Sequence, residues 1–296
     1  MSALFCFGLG YSAATYIAQY GAQFDRIAGT VRTLEKADRL SRSGIDGHAV
    51  EAFALSDTRM ADALSEATLL LVSIPPNTDG DIALHHYSDS LRDAKALRSI
   101  IYLSTIGVYG DHAGAWVDET TPANPVSPRS RERLQAEQEW LAFGNQAGVP
   151  VAVFRLPGIY GPGRNVLVKL ARGDAKRIVK PGQVFNRVHV LDIAQAIDAA
   201  YVRRAHGIFN ICDDEPTPAQ DPVCYAADLL GVAPPPETQF DDIKGSMSPL
   251  ALSFYAESKR ARNARMKDEL GIALAYPSYR EGLRALYDDG AATFTR

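Results

Sequence analysis

Short apolar runs alternate with amphipathic stretches over the first two thirds of the chain. The run Ala3–Phe7 is apolar throughout, the pattern of a parallel strand covered on both faces. Further strands are expected at Arg26–Val31, 49–55, 68–74, 99–103 (ending in Ser104 and Thr105) and 149–155. Between them fall helical patterns at Tyr11–Tyr20, Leu34–Ser43, 82–97 and 129–146, with Gly21, Gly44 and Gly148 as stops. Ser56 and Asp57 offer N-caps for one more helix, running through Ala67. Regular strand–helix alternation implies an α/β fold, a Rossmann-type doubly wound parallel sheet. After Arg155 the pattern loosens, and Gly, Pro and Arg punctuate residues 157–187. A strand at 188–190, a helix capped by Asp192 and a short strand at 207–211 return to the regular pattern. Residues 213–250 carry Pro216, Pro218, Pro222 and the run Pro234-Pro235-Pro236, which suits a smaller, loop-rich lobe. The tail over 257–286 reads as helical apart from Gly271 and a turn at Tyr276-Pro277. The expected organisation is a dinucleotide-binding domain over 1–155, rejoined by 187–211. A substrate lobe with the C-terminal helices takes 156–186 and 212–296.

The turn after the first strand carries the chemistry. Gly8 allows a tight turn, Gly10 lets a pyrophosphate approach the backbone, and Ala13 lets the helix pack on the strand. The free N–H groups at the helix start, at Tyr11 and Ser12, can hold an anion without a side chain. Arg32 follows the second strand, where Rossmann proteins read the ribose 2′ position. A guanidinium there clamps a 2′-phosphate, whereas a carboxylate would repel it, so NADP is expected over NAD. Ser73-Ile74-Pro75 ends the fourth strand at its carboxyl edge, where open α/β sheets bind ligands.

Composition narrows the field without naming a function. The 296 residues are 46% hydrophobic and 22% charged, with a net charge of −4. No basic run or stripe points to nucleic acid. Cys6, Cys212 and Cys224 are odd in number and lack metal-ligand spacing, which favours a reducing, cytoplasmic setting. The N-terminus enters the first strand directly, so no signal peptide is expected, and no apolar run approaches a membrane span.

Four segments together resemble the extended short-chain dehydrogenase/reductase superfamily, in particular the NAD-dependent epimerase/dehydratase family and its atypical members. They are the Gly8-x-Gly10-x-x-Ala13 turn, Leu103-Ser104-Thr105-Ile106-Gly107-Val108-Tyr109-Gly110, Arg155-Leu156-Pro157-Gly158-Ile159-Tyr160-Gly161-Pro162-Gly163, and His189-Val190-Leu191-Asp192-Ile193-Ala194. The tail from Ser258-Lys259-Arg260 to Tyr276-Pro277-Ser278-Tyr279-Arg280-Glu281-Gly282-Leu283 is similar to the family's C-terminus.

The resemblance implies hydride transfer between a substrate carbon and a nicotinamide. Thr105 matches the family's hydroxyl at the reacting oxygen. Ser73 and Pro75 match the segment along the adenosine ribose, Leu55 falls where the adenine packs, and Pro157, Gly158 and Ile159 match the nicotinamide wall. Asp192 is expected as a helix N-cap and His189 as a packed strand residue. Tyr109, Arg164 and Arg187 are candidates for the substrate side. The family's Tyr-x-x-x-Lys pair is absent. Aligning Glu137 with the family's helix Glu places Arg129 and Arg133 at those positions, and no Tyr lies between Tyr109 and Tyr160. Three outcomes are open. Another group (Tyr109, Asp111, His112 or His86) handles the proton; or Arg129 and Arg133 bind an anionic substrate, with Arg133 holding the ribose; or the protein binds NADP(H) as a sensor without chemistry. The partner implied is a small molecule, and the resemblance also allows a homodimer.

Overall fold

The computed structural model describes residues 1–290. The end of the expected second lobe, 291–296, lies outside the described residues. In chain order the first half holds β1 (Ala3–Phe7), α1 (Tyr11–Tyr20), β2 (Arg26–Val31), α2 (Leu34–Ser43), β3 (Glu51–Ala54), α3 (Met60–Ser65), β4 (Leu69–Val72), α4 (Ile82–Asp93), β5 (Ser99–Thr105), β6 (Trp116–Val117) and α5 (Pro128–Ala147). There follow β7 (Val151–Leu156), β8 (Gly158–Tyr160), α6 (Val166–Ala171), β9 (Arg177–Val179), β10 (Arg187–His189), α7 (Val190–Arg203), β11 (Gly207–Asn210) and α8 (Gln220–Leu230). The chain ends in β12 (Glu237–Gln239), α9 (Phe240–Ile243), α10 (Pro249–Tyr255), β13 (Arg260–Ala261), α11 (Ala264–Leu270) and α12 (Tyr279–Asp288).

Among the described residues, seven strands form one parallel sheet in the order β11-β7-β5-β4-β1-β2-β3. The order reverses between β1 and β4, and open α/β sheets bind ligands outside the strand ends at such a switch point. Each strand is buried on both faces, because its alternate residues feed two cores. Leu4 and Cys6 join Tyr16, Ile17, Ile193 and Ile197 under α1 and α7. Phe5 and Phe7 join Leu64, Leu84, Trp140 and Phe143 under α3, α4 and α5. A third apolar cluster, with Tyr160, Leu167, Tyr279 and Leu283, lies beneath α6, α8 and α12. Three small parallel pairs, β8 with β10, β9 with β12 and β6 with β13, stitch the rest together.

Several local expectations change. Neither Ser56 nor Asp57 caps α3, which starts at Met60. Asp57 instead accepts from the Arg59 backbone and pairs with its guanidinium. Helix α4 stops at Asp93, short of Leu97. Asp192 is not the cap of α7: His189 is, its Nδ1 accepting from Leu191 N at 3.3 Å. The Asp192 carboxylate instead accepts from Ala275 N and Tyr276 N, tying the tail to the start of α7. Residues 257–263 are extended rather than helical, because their backbone bonds to residues 112–117.

His189 also supplies a pH dependence. Its ring is 2% exposed, edge-on to Tyr160 and 4.0 Å from the Tyr276 ring centre, and Nε2 has no partner. Burial pushes its pKa down to about 4. A histidine buried neutral favours folding above its ordinary pKa, about 6.5. That stability is lost as pH falls from there toward 4, on the order of 3 kcal/mol in all. Denaturant titrations across that window should show stability falling with acid, and the slope should shrink by about one proton in H189N. Equal slopes for the two proteins would remove His189 as the source.

Candidate active site and cofactor cleft

The carboxyl ends of β1 and β4 build the first half of the cleft. Gly8 has φ of +99°, and a Cβ there would stand 2.7 Å from Ser73 Oγ, so the turn requires glycine. Gly8 N donates to Thr30 Oγ1 at 3.0 Å, while Ser73 Oγ donates to Gly8 O at 2.8 Å. Ser73 thus braces the turn itself. Helix α1 then starts with Gly10 as N-cap, without a side-chain cap and without an acid in its first turn. Gly10 N donates to Gly8 O at 2.9 Å, and a Cβ on Gly10 would meet nothing within 4 Å, so the space over this glycine is open. Ala13 is fully buried against the core, which lets α1 lie close to the sheet. Arg32 is exposed just beyond β2, Leu55 is half-buried beyond β3, and Pro75 is exposed beyond β4. All three stand along the same edge of the sheet.

The ends of β5 and β7 build the second half. Thr105 closes β5, and its Oγ1 accepts from Gly107 N at 3.1 Å, leaving its O–H to donate. Thr105 stands opposite Leu156 in the sheet, so Pro157 and Gly158 continue at its level. Gly158 N donates to Asn186 O, and Ile159 is half-buried in β8. Helix α5 places Arg133 behind these strand ends. The residue is buried, and its Nη1 reaches Leu103 O and Tyr102 Oη at 3.0 Å and Ile74 O at 3.4 Å. Arg129, one turn earlier, is exposed.

Two residues expected on the substrate side face elsewhere. Tyr109 is fully buried, with Oη donating to Asn210 Oδ1 at 2.8 Å and its ring under the Arg155 guanidinium. Arg187 spends its guanidinium on Thr217 Oγ1 at 2.6 Å and on the carbonyls of Phe185 and Pro218. Burial pulls its pKa below the ordinary arginine value, against the neighbouring Asp213 charge. Arg164 is exposed and lies over the ring of Tyr11, the first residue of α1.

A buried polar chain under the site went unread in the sequence. Glu137 on α5 binds Arg155 on β7, Nη2 to Oε2 at 2.8 Å, and accepts from Ser104 Oγ. Burial works against the Arg155 charge, and the Glu137 carboxylate more than restores it, holding its pKa above the ordinary arginine value. The signal was available: Arg155 interrupts the otherwise apolar strand Val-Ala-Val-Phe-Arg-Leu, and a buried charge needs a partner.

This geometry matches a known group of proteins. The model of the NAD dependent epimerase/dehydratase family matches residues 74–212. Protein YeeZ of Escherichia coli K12 is 31% identical over 281 residues, covering 91% of this chain and 94% of YeeZ. The chain belongs to the NAD dependent epimerase/dehydratase family. Among solved structures, a conserved protein of unknown function from Silicibacter pomeroyi is 44% identical with a TM-score of 0.86, covering 98% of this chain and 99% of its own. MoeE5 in complex with UDP-glucose and NAD shares the fold at 18% identity and a TM-score of 0.76, over the whole of both chains. In this epimerase/dehydratase family member, buried Arg133 of α5 bonds to the carbonyls of Ile74 and Leu103, while Arg129 one turn earlier is exposed. Among the described residues no helix is long and apolar enough to cross a membrane.

Proposed function

We propose that this protein binds NADP(H) and acts as an oxidoreductase or epimerase/dehydratase on a sugar nucleotide or another small polar carbonyl or hydroxyl compound. The observation that carries the reading is Arg133, a buried cation fixed on the carbonyls of Ile74, beyond β4, and of Leu103, two residues before Thr105 in β5. The cleft fits a dinucleotide. The uncapped start of α1, at Tyr11 and Ser12, would take the pyrophosphate over Gly10, and Arg32 the 2′-phosphate. Ser73, Pro75 and Leu55 would border the adenosine, and Pro157, Gly158 and Ile159 the nicotinamide.

Bound there, the cofactor supplies hydride transfer to or from a substrate carbon. The protein's part is positioning and charge. Thr105 accepts from Gly107 N through one lone pair of Oγ1, and its O–H would donate to the substrate oxygen. Among the described residues Arg133 bonds through Nη1 alone, leaving its remaining N–H groups for the ribose hydroxyls. Arg129 presents an exposed guanidinium for a phosphate or carboxylate of the substrate, in keeping with the UDP-glucose bound by MoeE5.

NADPH at about 100 times its dissociation constant should stabilise the protein by about 2.7 kcal/mol, read as a higher melting temperature. A panel of UDP-sugars and carbonyl compounds should then yield one whose turnover changes nicotinamide absorbance. T105A should keep cofactor affinity and lose about 100-fold in turnover. No melting shift with NADPH or NADH would overturn the reading. Tight cofactor binding with no turnover across the panel would leave the NADP(H) sensor, the reading that the absent Tyr-x-x-x-Lys pair favours.

A further inference from the structure

We propose that Arg164 is a second clamp for the cofactor's pyrophosphate, swung over the Gly8–Gly10 turn from the opposite side of the cleft. The inference rests on the dinucleotide reading above and assigns the residue to the cofactor rather than to the substrate.

The segment Gly161-Pro162-Gly163-Arg164 is a closed turn, with Gly161 and Arg164 exchanging both backbone bonds at 3.0 Å. Asn165 locks its base: Nδ2 donates to Gly161 O at 2.9 Å, while Oδ1 caps α6 through Val168 N. The turn is then latched to the phosphate-binding helix. Tyr11, the first residue of α1, donates its hydroxyl to Pro162 O at 3.0 Å. A Cβ at Gly161 would stand 2.6 Å from that hydroxyl and 2.7 Å from Val190 Cγ1, so the approach admits only glycine.

The latch sets the direction of Arg164. Its guanidinium carbon lies 5.7 Å from the Tyr11 ring centre, and its charge acts on the Tyr11 phenol against the effect of burial. Among the described residues it has no carboxylate partner, although the chain carries more acids than bases. This exposed arginine stacks on the ring of the residue that begins α1, a helix whose start has no side-chain cap. Two charge-assisted bonds to a pyrophosphate oxygen pair would complete a site whose other donors are all backbone. The anion is then held from both sides, by α1 and by a turn of the second half of the chain.

The test is equilibrium binding of NADPH, NADH and adenosine 2′-monophosphate to the wild type, R164Q, R164K and Y11F. R164Q should weaken NADPH and NADH alike, by about tenfold, and leave the 2′-monophosphate, which lacks a pyrophosphate, unchanged. R164K should fall between, and Y11F should lose a smaller factor on both dinucleotides by freeing the turn. Arg164 is exposed, so the melting temperature of unliganded R164Q should equal that of the wild type. Wild-type affinity for both dinucleotides in R164Q overturns the clamp while leaving the cofactor reading intact. Loss on NADPH alone also overturns it, by moving Arg164 to the 2′-phosphate. No binding by the wild type overturns both readings.

Discussion

E137A is expected to unfold about 10 °C below the wild type. Glu137 and Arg155 are 1% and 3% exposed, so removing the carboxylate strands a guanidinium among Tyr109, Ser104 and the sheet. Breaking a buried pair from one side costs about 3–5 kcal/mol. In a chain of this size each kcal/mol moves the melting temperature by about 2–4 °C. The double variant E137L/R155M should recover most of the loss, because it removes both charges and fills similar volume with apolar groups. Thermal and denaturant melts of the three proteins decide the matter. If the double variant melts no higher than E137A, the network as a whole, with Ser104, Tyr109 and Asn210, matters more than the stranded charge.

R32A is expected to bind NADPH about 10–100 times more weakly and NADH almost unchanged. The arginine is exposed at the end of β2, beside the turn whose Gly8 N bonds to Thr30 Oγ1. A bidentate guanidinium–phosphate contact is a charge-assisted bond of about 1.5–3 kcal/mol, and only NADPH offers the phosphate. R32E should invert the preference, since a carboxylate accepts from a 2′-hydroxyl and repels a phosphate. The ratio of the two dissociation constants is the measurement. An unchanged ratio in R32A would place the choice of cofactor elsewhere.

The sheet was legible because its strands are buried on both faces and therefore write themselves as apolar runs, Ala3–Phe7 and Leu69–Val72 among them. The glycine turn was legible for a related reason: Gly8 answers a backbone demand that no other residue meets. The small parallel pairs were not. Two- and three-residue strands such as Trp116–Val117 with Arg260–Ala261 carry no period, and their partners are remote in sequence. Residues 257–263 read as helix because local propensity ignores the carbonyls of Ala115 and Val117 that accept their N–H groups. At the site, residue types foretold where charge would gather but not which way each side chain turns. Arg133 bends inward onto strand carbonyls, Arg129 faces water, and Arg187 is absorbed by Thr217.

The pairing of β6 with β13 also governs the order in which the molecule can be assembled as it is made. Every strand of the large sheet lies within residues 3–210, so the sheet can close while the last part of the chain is still being synthesised. Trp116 and Val117 cannot find their partners until Arg260 and Ala261 have emerged. The large sheet can therefore form before the β6–β13 pair, which must wait for Arg260 and Ala261.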